Sequence, residues 1–92
     1  MAHCSFEKLE DLAMELDRIR LLPGIKEKTP GVFYFKSTPF LHFHEKDGRR
    51  WADVRSGKQW GDPVNIPFGA SGIEKQKFEN EIKRRYIQMG AR

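Results

Sequence analysis

The feature that most narrows the fold is a tight turn between two alternating segments. Asp47-Gly48 stands between Phe40-Leu41-His42-Phe43-His44 and Trp51-Ala52-Asp53-Val54-Arg55. A two-residue type I′ turn needs positive φ at both central positions, and Asp-Gly is among the pairs that accept this. The register then follows residue by residue. Lys46 faces Arg49, Glu45 faces Arg50, His44 faces Trp51, Phe43 faces Ala52, His42 faces Asp53 and Leu41 faces Val54. Side chains alternate along a strand. One face therefore gathers Leu41, Phe43, Ala52 and Val54, and the other Phe40, His42, His44, Trp51, Asp53 and Arg55. A slip by one residue would set Leu41 against Asp53 and mix the two faces. The opposed Glu45 and Arg50 charges favour the same register, and the like charges of Lys46 and Arg49 mildly oppose it.

The flanking sequence supplies the partners for the apolar face. Val32-Phe33-Tyr34-Phe35 is a further aromatic, β-branched run, so strands are expected over 31–36, 40–45 and 50–55. Phe6, Leu9, Leu12, Ala13, Leu16 and Ile19 recur at helical steps after Ser5, a candidate N-cap, and Pro23-Gly24 stops the series. A helix over 5–22 follows. Ser71-Gly72-Ile73-Glu74 has capping-box spacing. Ile73, Phe78, Ile82, Tyr86 and Met89 form a stripe, and Gly90 suits the position after the helix end, giving a helix over 72–89. Residues 56–70 read as a loop with a short edge strand at Val64-Asn65-Ile66 between two prolines. The expected fold is an α+β two-layer sandwich: helix, three-stranded antiparallel meander, helix, with both helices on the Leu41/Phe43/Val54 face.

Length and composition set the remaining bounds. A chain of 92 residues makes one domain with a small core, and 12% aromatic residues let each buried side chain be large. The single cysteine, Cys4, excludes an internal disulfide framework and a cysteine-rich zinc knuckle. The longest apolar run, Val32–Phe35, is far too short to cross a bilayer, and no signal-peptide pattern opens the sequence, so a cytoplasmic, membrane-free protein is expected. The net charge of +4 is uneven, with −2 over residues 1–22 and +3 over each of 23–70 and 71–92. Such a surplus biases encounters with polyanions without requiring them.

Three functional readings arise from these residues. In the first, the face opposite the helices is a non-enzymatic binding surface built from His42, His44, Trp51, Asp53 and Arg55. Trp51 supplies a stacking plate, Arg55 a fork for a carboxylate or phosphate, and a His42–Asp53 pair a polar centre. Its partner is a protein or a small anionic ligand. A second copy of the chain is another candidate, joined through this face or through the edge of Val32–Phe35. In the second reading, Arg49, Arg50, Lys58, Lys83, Arg84 and Arg85 track a nucleic-acid backbone, although interleaved acids also fit an ordinary solvated surface. In the third, His42 and His44, two residues apart on one strand, join Asp53 in a metal site or a small enzyme site. The first reading assigns no catalytic residue, metal or cofactor. No phosphate loop, dinucleotide fingerprint, hydrolase elbow or zinc-protease motif occurs.

Pro30-Gly31-Val32-Phe33-Tyr34, Phe40-Leu41-His42-Phe43-His44-Glu45 and Ala52-Asp53-Val54-Arg55, with the Leu22-Pro23-Gly24 step before them, resemble segments of small bacterial proteins to which no activity is assigned. The resemblance spans about residues 20–87. It implies bacterial origin and an α+β fold, and brings no catalytic residues. The Leu-Pro-Gly step before an aromatic meander is also similar to the MmcQ/YjbR group, which implies the nucleic-acid alternative.

Overall fold

The structure is a computed structural model and describes residues 4–90. The order is a 3-10 helix (Phe6–Leu12), α1 (Ala13–Arg20), β1 (Ile25–Thr29), β2 (Val32–Phe35), β3 (Thr38–Lys46), β4 (Arg49–Ser56), β5 (Gln59–Trp60), β6 (Val64–Asn65) and α2 (Gly72–Gln88). Strands β1 to β4 form an antiparallel meander, and β5 and β6 both pair with the outer edge of β4. The α+β architecture expected from the sequence is present, with a helical segment at each end. No helix among the described residues is long and apolar enough to cross a membrane.

The central hairpin has the register that the Asp47-Gly48 turn dictates. Leu41 pairs with Val54, His42 with Asp53, Phe43 with Ala52 and His44 with Trp51. Asp47 and Gly48 both have positive φ, at 52° and 77°. Leu41, Phe43, Ala52 and Val54 are buried, whereas His42, His44, Trp51, Asp53 and Arg55 are only partly so. Phe40 departs from the expected face. The register moves from Phe33↔Leu41 to Tyr34↔Pro39, so Phe40 is an extra residue in β3. Such a bulge redirects its side chain, and Phe40 enters the core, where its ring meets Tyr86 edge-on at 6.3 Å.

The sheet is wider than the expected meander. Ile25–Thr29 pairs with β2, so Val32–Phe35 is an inner strand and offers no free edge for a second copy. The sequence IKEKT carries little apolar signal, and only Ile25 and Glu27 are half-buried. Its turn was more legible. Thr29 pairs with Val32 across Pro30-Gly31, and Gly31 has φ 77°. A Cβ there would also lie 2.7 Å from Leu9 Cδ1, so glycine is required twice over. The Glu27 carboxylate accepts from Gly31 N at 3.0 Å and holds the turn.

Both helical segments cover the apolar face. Leu9, Leu12, Leu16 and Ile19 join Phe33, Phe35, Phe40, Leu41, Phe43, Val54, Ile66, Phe78, Ile82 and Tyr86 in one core. Phe6 and Ile73, expected on the apolar stripes, are exposed, although buried Cys4 and Ala70 lie only two or three residues before them. The capping box of α2 is complete, with Ser71 Oγ accepting from Glu74 N and Glu74 Oε1 from Ser71 N. Ser5 stands at an N-cap position without a side-chain hydrogen bond. The expected first helix is split: its opening turns are 3-10, and there the Lys8 and Asp11 carbonyls accept from Arg50 and Lys75.

Arg50 is the main departure from the sequence reading. It pairs in register with Glu45, but its side chain points inward with Ala52 and Val54 and is wholly buried. All five guanidinium protons are used. Nε donates to Ile66 O (2.8 Å), Nη1 to Lys8 O (2.8 Å) and Asp11 Oδ1 (2.6 Å), and Nη2 to Asp11 Oδ2 (2.8 Å) and Pro67 O (2.9 Å). Glu45 instead meets Lys8 at 3.5 Å. The 56–70 segment consequently does not fold over the open face. Ile66 and Pro67 are drawn to the helix side by Arg50, whereas Trp60 leans onto the other face and Pro63 and Asn65 border it beside Trp51.

Replacing Arg50 with Ala removes five bonds and strands the Asp11 carboxylate. A loss of about 3–5 kcal/mol in urea unfolding is expected. A change below about 1 kcal/mol would show that the pair is not a keystone.

Acid should weaken the fold with a defined sign. The Arg50 hydrogen bond holds Asp11 below the ordinary carboxylate value. Arg84, with Arg85, holds Glu81 down at about 2. A carboxylate lowered in the folded state stabilises above its unfolded pKa and loses that contribution as pH falls through the folded one. For Glu81 the window runs from 4.5 down to about 2. Glu81→Gln should therefore flatten the fall in stability across this window, measured by urea unfolding at stepped pH; an unchanged slope would contradict the assignment.

Candidate functional site

The strands leave one sheet face without a helix, and the alternation of β3 and β4 decides what stands there. His42 and His44 come from β3, and Arg49, Trp51, Asp53 and Arg55 from β4. The short hairpin Ser56-Gly57-Lys58-Gln59 then returns Trp60 opposite Arg55. Gly57 has φ 67°, as a two-residue turn demands.

These side chains form a connected row. The Arg55 guanidinium lies 4.7 Å from the Trp60 ring centre. Trp60 meets His42 edge-on at 4.8 Å, and His42 meets His44 edge-on at 4.6 Å. His44 stacks on Trp51 at 5.7 Å and 23°. The imidazoles are thus held between two indoles, the only two tryptophans of the chain. Trp60 is a site residue outside the set expected from the sequence, His42, His44, Trp51, Asp53 and Arg55. The Gly57-Lys58 turn was the available signal.

The polar centre differs from the expected His42–Asp53 pair. Asp53 stands opposite His42 in register, but its Oδ2 lies 2.9 Å from Nε2 of His44, the diagonal neighbour. The same Nε2 lies 2.6 Å from Nδ1 of His42. A carboxylate only accepts, so a hydrogen bond within the His44–Asp53 pair is donated by His44 Nε2. His42 Nδ1 faces that same N–H. The three residues are each half-buried and can offer one ligand atom apiece within 4.8 Å of one another.

Arg55 is on the open face but its expected fork is spent. Nε donates to Pro39 O at 2.7 Å and Nη1 to Lys58 O at 3.1 Å, which ties β4 to its neighbours. Arg49 takes over the position of an available cation. It is exposed, forms no ion pair among the described residues, and lines an open depression of about 340 Å³ with Trp51, Pro63 and Asn65.

The nucleic-acid set is not a free basic surface. Arg50 and Arg85 are buried. Arg85 donates to the Val54 and Asp62 carbonyls and pairs with Glu81. Lys83 pairs with Glu79 at 3.3 Å and Arg84 with Glu81 at 2.5 Å. Arg49 and Lys58 are the exposed members that form no ion pair among the described residues.

Nucleophiles are poorly placed for chemistry with the imidazoles. Cys4 belongs to the core on the other side of the sheet, and burial pushes its thiol pKa up, away from thiolate. Ser56 Oγ bonds Gln88 Oε1 at 2.8 Å. No protein-family model matches the chain, and no curated protein or solved structure matches it, so the site rests on its own geometry.

The contact between Asp53 and His44 Nε2 favours one tautomer. Long-range ring spectra above neutral pH should show neutral His44 as the Nε2–H form, and Asp53→Ala should remove that preference. A His44 ring protonated on Nδ1 alone would contradict the pair with Asp53.

Proposed function

We propose that the protein is a non-enzymatic binding module that works through the open sheet face and takes a small planar anion beside Trp51. What supports this most is the meeting of the Trp51 indole and the Arg49 guanidinium at one depression, on the face that neither helix covers. An indole offers a stacking plate, a guanidinium binds carboxylate or phosphate bidentately, and the Asn65 amide adds a donor and an acceptor. The volume lies at the small end of ligand sites. His44 stacks on Trp51 and holds the plate in place, so little side-chain freedom is lost on binding. The setting that goes with this reading is a bacterium, as the resemblance of the strand segments implies, and its cytoplasm, as expected from the sequence.

Benzoate and adenosine monophosphate are suitable probes, with inorganic phosphate as the non-planar control. Both planar anions should shift the Trp51 indole N–H and the Arg49 and Asn65 amides, with dissociation constants of about 1 mM or tighter. Phosphate alone should bind more weakly, and Trp51→Ala or Arg49→Ala should abolish the shifts. Spectra unchanged at about 10 mM of both planar probes would overturn the reading. Shifts caused instead by a DNA duplex, with a steep salt dependence, would favour the nucleic-acid alternative.

A further inference from the structure

We infer that His42, His44 and Asp53 form a binding site for a divalent first-row transition-metal cation, of which zinc is the natural probe. The inference goes beyond the anion site and stands on different atoms. Two imidazoles and a carboxylate are a donor set suited to such ions. Residues two apart on a strand share one face, about 6.5–7 Å apart at Cα. Asp53 is opposite His42 in register, so a single rigid hairpin supplies all three donors.

The distances fit a common ion. Ligand atoms at about 2.0–2.1 Å from a tetrahedral ion lie about 3.3 Å from one another. His42 Nδ1 to His44 Nε2 is 2.6 Å, His44 Nε2 to Asp53 Oδ2 is 2.9 Å, and one ligand atom from each residue lies within 4.8 Å of the other two. His44 Nε2 lies close to both His42 Nδ1 and Asp53 Oδ2. A cation among the three atoms attracts all of them at once, with His44 Nε2 deprotonated as a ligand must be.

The surroundings favour a cation as well. Among the described residues Asp53 pairs with His44 and with no Lys or Arg, so no permanent cation competes for its carboxylate. Partial burial reduces competition by water: the His44 side chain is 14% exposed and that of Asp53 33%. Trp51 stacked on His44 and Trp60 against His42 restrict both rings. Ligand orientation of this kind is what second contacts around a metal supply. Three protein donors leave a coordination position for water or an incoming group.

Zinc titration by calorimetry, with imidazole ring spectra recorded in parallel, tests the site. A His3→Ala background keeps the amino-terminal imidazole out of the measurement, since His3 lies outside the described residues. One equivalent of zinc should bind, shift both the His42 and His44 rings, and displace the His44 Nε2 proton. His42→Ala, His44→Ala and Asp53→Asn should each weaken binding by about ten-fold or more. The amide spectrum of each variant shows whether it is folded. Asp53→Asn keeps the side chain's shape, so a folded variant with unchanged affinity would overturn the carboxylate's role. Rings unmoved at about 1 mM zinc in the His3→Ala protein would overturn the site.

Discussion

Arg50 is the contact on which the rest of the structure depends. A guanidinium wholly removed from water is costly unless every proton is used and a counter-charge is near. Both conditions are met, by the Asp11 carboxylate and three carbonyls. Those acceptors come from the first helical segment and from the 66–67 stretch, while Arg50 itself is on β4. One side chain therefore fixes three parts of the chain that are distant in sequence. Apolar burial supplies most of the driving force for so small a core, but it is not directional. The bidentate pair with Asp11 sets which way the helix lies and where the loop returns.

That assignment of sides is what makes a site of the other face. Tyr86, on α2, reaches the Pro23 carbonyl beyond α1, and Arg18 reaches Glu79 at 2.8 Å, so the two helical segments are joined over the same sheet face. The bulge at Phe40 adds a ring to the core and takes it from the opposite side. What remains there is mostly polar-aromatic: two imidazoles, two indoles, a carboxylate and two guanidinium groups. An uncovered apolar sheet would invite aggregation. This face is tolerated in water because its rings carry polar atoms.

The polar row also divides into groups that hold and groups that can act. Arg55 is bound to backbone carbonyls and steadies Trp60, which steadies His42. Trp51 steadies His44 and at the same time lines the depression with Arg49. The imidazole–carboxylate cluster and the anion-sized depression thus share one wall, the Trp51 indole.

Much of the fold was legible because its signals are local. Asp47-Gly48 determined the hairpin and, through strict alternation, the faces of Leu41, His42, Phe43, His44, Trp51, Ala52, Asp53 and Val54. The Ser71–Glu74 box determined where α2 begins. The same alternation placed Arg50 with Ala52 and Val54, but a charge beside a turn reads as solvated until Asp11 is known to lie above it. Strand β1 was hidden because an edge needs charges more than apolar residues. The His44–Asp53 diagonal, the spent fork of Arg55 and the arrival of Trp60 were also beyond the sequence. Each depends on side-chain reach between segments, and hydrogen bonds through space leave no periodicity in the chain. The sequence by itself determined that His42, His44, Trp51, Asp53 and Arg55 share the open face; only the tertiary structure removed Phe40 from it, brought Trp60 to it and decided which side chains touch, because contact is set by bulges, by rotamer and by what lies next to each strand.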